Sequence, residues 1–318
     1  MDLLWRPLRL SDVPAWADLL SQVEAVDKKG ENYDLADLHD QLADPRVDLA
    51  TASVGAFDGA ELAGYGIIRF RPQGAAVLVA TMEGAVAPRH RRQGLGRQLI
   101  DWFAEQAAVV GRRDFPGRSL ELRVHASERN EGQAALMAAT GFDPVRWLLD
   151  LERTLDQDIR AVPVPEGMAV VGFDARPSEA VRAACNDAFS GHWGRAPVSE
   201  REWHSMVASS AFRPELSFLM TEAGGARVLG LLLAHYYPAD TEVTGVKEAW
   251  IHTLGTIRAA RGRGVAGALL AHALAAYRDL GYERASLSVD SGDASGALRL
   301  YEQAGFVVAH RWTVYARG

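Results

Sequence analysis

The chain holds 318 residues, 48% of them hydrophobic, with a formal net charge of −7 and one cysteine, Cys185. That length and apolar content suffice for two ordinary cores. The acidic balance argues against general nucleic-acid binding, and a lone cysteine excludes a disulfide framework or a cysteine-built zinc site. The stretch Met1-Asp2-Leu3-Leu4-Trp5-Arg6 lacks the apolar core of a signal peptide and no run approaches a membrane span, so a cytoplasmic protein without membrane contact is expected.

In chain order, Arg6-Pro7-Leu8-Arg9-Leu10-Ser11-Asp12 reads as a strand running into an N-capped helix. Residues 24–45 read as a loop, with Asp27, Glu31 and Asp34 either drawing a cationic ligand or simply solvated. Residues 51–57 and 64–70 are β-like and joined at Asp58-Gly59. A strand over 77–86 leads into the loop Arg91-Arg92-Gln93-Gly94-Leu95-Gly96, and a helix over 96–110 then puts Leu99, Ile100, Phe103, Ala107 and Val110 on one face. Thr140-Gly141-Phe142 follows. Residues 156–167, with Pro163 and Pro165, read as a linker. It separates a first domain over 1–155 from a second over 168–318.

The second domain opens with Met168-Ala169-Val170-Val171 and a helical stretch over 177–189. Residues 190–214 read as a loop in which Trp193, Trp203 and His204 either line a pocket or pack. Strands over 217–221, 228–235 and 248–257 precede a second loop, Arg261-Gly262-Arg263-Gly264-Val265-Ala266, a helix over 265–280, and Ala304-Gly305-Phe306. The two copies keep step: 170 residues separate Gly94 from Gly264, and 164 separate Gly141 from Gly305. So long a period means two domains and not a solenoid. Helices between strands imply α/β modules on a mixed sheet.

Each glycine loop follows an apolar strand and opens an amphipathic helix. Such a turn leaves backbone N–H groups pointing outward at the positive end of the dipole and can hold a phosphate. A duplicated nucleotide-cofactor domain is the reading that follows. Two rivals exist. Gly262-Arg263-Gly264-Val265-Ala266-Gly267 fits the dinucleotide fingerprint, with Asp290 near the place of a ribose-binding acid. Against it, Arg97 occupies the third glycine position in the first copy, and each loop falls late in its module. The cluster Arg89, His90, Arg91, Arg92 and Arg97 resembles a nucleic-acid patch, but it lacks interleaved aromatics and belongs to an acidic chain.

The pattern resembles the GNAT superfamily of N-acetyltransferases over nearly the whole chain. Its Arg/Gln-x-x-Gly-x-Gly/Ala loop matches Arg91–Gly96 and Arg261–Ala266, with Val86-Ala87-Pro88 matching the Val-x-Pro before it. Its later element, Asn/Asp-x-x-Ala then Leu-Tyr-x-x-x-Gly-Phe, matches Asp293-Ala294-Ser295-Gly296 and Leu300 to Phe306. The tandem layout, with Asn186, Phe189, Gly191 and His192 after the second opening helix, is similar to the mycothiol synthase branch.

The resemblance implies acetyl-CoA as acyl donor, held at Arg261, Gly262, Arg263, Gly264, Val265 and Ala266; the first copy either binds it at Val86, Arg91, Arg92, Gln93, Gly94, Leu95 and Gly96 or simply supports the fold. It implies an oxyanion held by backbone N–H groups near Leu254 and Thr256, where neighbouring strands diverge. Tyr301 takes the place of the residue that protonates the leaving thiolate; the first copy has Met137 there, and a thioether has no proton to give. The C-terminal module is therefore expected to be the catalytic one.

The base is left between two residues. Along Glu248-Ala249-Trp250-Ile251-His252-Thr253-Leu254, Glu248, Trp250 and His252 share a face. His252 titrates near neutrality and can relay an amine proton through water; Glu248 is the alternative. The mycothiol synthase pattern would put an acid where Trp250 stands. In the first copy Glu83 is the nearest acid. The expected function is transfer of an acetyl group to a small primary amine by direct attack. The alternatives are mycothiol synthesis proper, by acetylation of a cysteinyl-glucosamine-inositol, and a non-catalytic acyl-CoA-binding regulator. No metal, nucleic acid or membrane is expected as a partner, and monomer and homodimer are both compatible.

Overall fold

The computed structural model describes residues 3–176, 178–192, 196–225, 227–292 and 296–318. It divides into two compact units, Met1–Leu148 with His310–Gly318, and Leu149–Ala309. In the first half of the chain the elements are β1 (Leu4–Arg6), α1 (Val13–Asp27), α2 (Leu35–Leu42), α3 (Leu49–Ala52), β2 (Ser53–Asp58), β3 (Glu61–Gln73), β4 (Val77–Val86), α4 (Leu95–Asp114), β5 (Ser119–Ser127), α5 (Glu131–Ala139) and β6 (Asp143–Thr154). The second half holds β7 (Met168–Gly172), α6 (Ser178–Ala188), α7 (Glu200–Val207), β8 (Phe218–Glu222), β9 (Val228–His235), α8 (Pro238–Thr244), β10 (Glu248–Thr256), α9 (Val265–Asp279), β11 (Arg284–Asp290), α10 (Ala297–Gln303) and β12 (Val307–Arg317).

The first unit's strands run in the order β1-β2-β3-β4-β5-β12, and the second's in the order β6-β11-β10-β9-β8-β7. In each the one long crossover makes a parallel pair, β4 with β5 and β10 with β11. The hairpin-joined pairs, and β9 with β10 across α8, are antiparallel, so the sheets are mixed, as alternating strand and helix patterns require. The last strand of each sheet comes from beyond the obvious repeat. Trp312 to Arg317 of β12 pair with Ser127 to Leu122 of β5, completing the first unit. Leu149, Leu151 and Leu155 pack into the second unit's core with Ile251, Leu287 and Phe306.

Periodicity explains which faces are covered. Along β3, Tyr65 and Ile67 belong to the cluster beneath α1 and α2, whereas Ile68 packs on the opposite face with Leu99, Ile100, Phe103 and Ala107 of α4. Each of the buried Ile, Leu and Phe side chains among them stabilises the unit by about 1.5–3 kcal/mol. Strand β9, Val-Leu-Gly-Leu-Leu-Leu-Ala-His, is apolar nearly throughout because every one of its residues is buried. Gly230 within it lets the following helix approach, since a Cβ there would meet Val265 Cγ1 at 2.5 Å and Gly255 O at 3.1 Å.

Two segments read as loops contain helices. Within 24–45, α1 continues to Asp27 and α2 follows, its capping box formed by Asp34, whose Oδ1 accepts the Asp37 N–H at 2.8 Å, and by Asp37, whose carboxylate accepts the Asp34 N–H at 3.2 Å. Within 190–214, α7 is opened by Ser199 and Glu202, with the Ser199 N–H donating to Glu202 Oε2 at 2.8 Å. Both boxes are short local signals preceding brief helices. Trp203 packs, 1% exposed, its Nε1 donating to Ser178 Oγ at 2.6 Å; Trp193 lies outside the described residues. Cys185 is buried, and among the described residues no helix is long and apolar enough to cross a membrane.

Candidate active site

In the second unit β10 and β11 pair in parallel from Glu248↔Arg284 to Ile251↔Leu287, and there the pairing stops although both strands run on. On its other side β10 pairs with β9, with a register shift between Ile251 and Thr253. His252 is the extra residue of this bulge, which bends the strand away from its neighbour. The phase of the remaining ladder follows from Ile257 N–H donating to Leu229 O at 3.0 Å. Since alternate residues of an antiparallel strand bond the same partner, the N–H groups of Leu254 and Thr256 face away from β9, toward the divergence from β11.

A cavity of about 450 Å³ fills that divergence, bounded by His252 to Thr256 of β10, Leu287 to Asp290 of β11, the glycine loop, and Leu300 and Tyr301 of α10. The loop wraps on two left-handed residues, Gly262 (φ 72°) and Gly264 (φ 81°), the latter directly preceding α9. No side chain caps α9, so its first N–H groups are free to meet an anion. The arginines do not share one role. Arg261 and Arg263 are both exposed, but Arg261 donates from Nη2 to Ala188 O at 2.7 Å, which ties the loop to the end of α6.

Tyr301 is 7% exposed and lies edge-on to Phe306, with ring centroids 5.9 Å apart. His252 is exposed on the cavity wall, and its ring lies flat on that of His235, 4.5 Å between centroids and 8° between planes. Glu248 stands apart. It is not among the residues lining the cavity, and its carboxylate accepts the Nε–H of Arg284. Phe189 and His192, which follow α6, line the cavity as well, whereas Asn186 is spent bracing Val198, whose N–H it accepts at 2.7 Å. Asp290 borders the cavity but accepts the Gly292 N–H at 2.9 Å, closing its own turn. The stretch Asp293, Ala294 and Ser295 lies outside the described residues.

The first unit has the corresponding cavity, about 460 Å³, lined by Val86, Arg91, Arg92, Gly94, Gly96 and Met137 among others. Its loop places Arg92 (φ 62°) where the second copy has Gly262, and Gly94 (φ 87°) where it has Gly264. Two differences separate the copies. Strands β3 and β4 pair without a register shift from Gln73↔Val77 to Gly64↔Val86: Met82 and Ile251, each the last residue of its parallel ladder, are 169 residues apart, but Val86 and Thr256 are 170 apart, and the one added residue is the bulge residue His252. Met137 stands at the position of Tyr301, buried to 1%. The first unit's acids are also committed. Asp27 pairs with Arg91 at 2.7 Å, Asp34 caps α2, and Glu83 pairs with Arg69 at 2.6 Å while accepting from Tyr65 Oη at 3.2 Å.

The model of the acetyltransferase (GNAT) family matches residues 14–142 and again 178–306. The chain belongs to that family, as two tandem modules. It is 30% identical over 313 residues to a mycothiol acetyltransferase of Salinispora arenicola, a match covering 96% of this chain and 92% of that protein. Among solved structures it resembles a GCN5-related N-acetyltransferase from Sphaerobacter thermophilus, with a TM-score of 0.72 and 27% identity over 99% of this chain and 95% of that one. A tandem GNAT protein from the clavulanic acid biosynthesis pathway shares the fold, with a TM-score of 0.71 and 17% identity over 99% and 98% of the two chains.

Proposed function

We propose that this acetyltransferase is acetyl-CoA-dependent, that it acetylates a small primary amine, and that the reaction takes place at the cavity of the second unit. The observation that carries the reading is the meeting, around one cavity, of a bulged strand, a glycine loop and Tyr301. The residues fit a coenzyme A thioester. The loop and the uncapped start of α9 offer main-chain N–H groups to a diphosphate, and the strand divergence offers a slot with donors along one wall.

Acetyl-CoA, when bound, supplies the activated acyl group. The N–H groups of Leu254 and Thr256 are placed to take up the charge that develops on the acyl oxygen, and one such donor is worth about 3 kcal/mol. His252 receives the amine proton, directly or through water, since its imidazole borders the cavity and carries a ring nitrogen able to accept a proton. Tyr301 delivers its hydroxyl proton to the departing thiolate. The first unit lacks both the bulge and the hydroxyl, which favours a binding or supporting role for it.

A second, narrower reading, mycothiol acetyltransferase, is favoured by the relatives that match nearly the full chain. Against it, the half-buried Trp250 stands where that branch is expected to carry an acid. A panel of primary amines that includes a cysteinyl-glucosamine-inositol, assayed for released coenzyme A thiol, tests both readings. The expected result is turnover of at least one amine. Turnover of the cysteinyl sugar well above the others selects the narrower reading, none on that amine removes it, and no release with any amine contradicts the enzymatic assignment.

A further inference from the structure

We infer that His235 is a positioning residue for His252, its ring fixing the plane in which the bulge imidazole faces the cavity. The inference rests on the reading of His252 as proton acceptor. The bulge sets His252 out of register with β9. There its ring lies flat on that of His235, 4.5 Å between centroids and 8° between planes, and that contact favours one orientation of the imidazole plane.

His235 is itself firmly held. It ends β9, opposite Trp250 in register, and is 7% exposed. Phe212 lies edge-on to it at 6.1 Å and 88°, and Tyr237 at 6.1 Å and 75°. Its Nδ1 lies 3.2 Å from Tyr237 Oη. Two facts exclude His235 from proton traffic of its own. Its Nε2 is buried with no hydrogen-bond partner among the described residues, and burial, followed by the charge of Arg213, pushes its pKa down to about 4, so the ring is neutral at physiological pH. What remains for a rigid, neutral, aromatic-packed ring is contact with its neighbour.

The test compares wild type, His235→Ala, His235→Phe and His252→Gln, with acetyl-CoA and the amine turned over fastest in the panel described above. Thermal melting of each variant checks folding, and His235→Gln replaces the alanine variant if that one does not fold. The expected result is a fall in kcat of about 10- to 10²-fold for His235→Ala, up to the scale of a catalytic group misplaced by about 1 Å, with KM for acetyl-CoA within about 2-fold of wild type. Phenylalanine keeps a flat ring in the same place, so it is expected to restore kcat to within about 3-fold. A wild-type kcat in His235→Ala, or a phenylalanine variant no better than alanine, overturns the inference. If His252→Gln is impaired while His235→Ala is not, only this inference falls. If His252→Gln is fully active, or no amine is turned over, the reading beneath it falls and takes the inference with it.

Discussion

Tyr301→Phe is expected to lower kcat by about 10²- to 10⁴-fold, the usual contribution of a positioned general acid, while the affinity for acetyl-CoA stays within about 2-fold of wild type. The substitution removes one oxygen and little else. The ring is packed at 7% exposure against Phe306 on a helix that borders the cavity, and phenylalanine preserves that edge-to-face contact. A purely packing role would therefore leave kcat near wild type. In energy the expected loss is about 3–5 kcal/mol at the transition state, at 1.36 kcal/mol per decade. Single-turnover kinetics isolates the chemical step, and calorimetric titration with acetyl-CoA reads binding. Full activity across the pH range would assign the acid elsewhere. The first unit already carries the extreme substitution: Met137 fills the equivalent place, 1% exposed, with a thioether that has no proton to give.

Deletion of residues 310–318 is expected to unfold the first unit, although its own elements end more than 150 residues earlier in the chain. The segment supplies the strand beside β5, with Trp312 to Arg317 in register against Ser127 to Leu122. It buries Val314 to 1% exposure, places the Arg317 guanidinium 4.7 Å from the Phe142 ring centre, and lets Arg317 Nη1 donate to Thr140 O at 2.6 Å. Losing the valine costs about 1.5–3 kcal/mol. Several ladder hydrogen bonds at about 1 kcal/mol each add to it, and β5 becomes an open edge that invites aggregation. Together these approach the roughly 5–15 kcal/mol that holds a domain folded. Limited proteolysis of the shortened chain should cut within residues 3–148 under conditions that leave wild type intact, whereas unchanged resistance and unchanged melting would show the strand to be dispensable.

Residues with local side-chain signatures were legible in the sequence. Strands β4 and β9 fall where their apolar runs predict, and both loops open helices whose apolar faces are buried. Tyr301 stood out because the residues around it form a motif. The bulge at His252 was not legible, because a register shift belongs to the pairing of two strands and appears in neither alone. Its trace was present only as the one-residue difference in spacing between the copies, and that emerges once Met82 and Ile251 are known to be equivalent. His235 closes an apolar strand and carries no motif; the stack with His252 depends on that same bulge. Glu248 shared a face with His252, as alternation requires, yet Arg284 on the adjacent strand engages it, and which strand lies adjacent is a matter of topology. The completion of the first sheet by β12 was hidden for the same reason. The capping boxes at Asp34 and Ser199 are local signals for α2 and α7, but each opens a helix of only 8 residues, too short for apolar periodicity to stand out from a loop.

The central claim is that main-chain amides of the loop from Arg261 to Ala266 hold the diphosphate of coenzyme A. Calorimetric titration of coenzyme A into the wild-type chain and into Gly264→Val tests it most directly. Valine at φ 81° is strained whatever space surrounds it, so the start of α9 must re-form and its N–H groups lose their aim. The account predicts saturable binding to wild type and loss of the second unit's binding, by about 10-fold or more, in a variant that still melts cooperatively. Absence of heat with wild type, or equal binding to both chains, would contradict it.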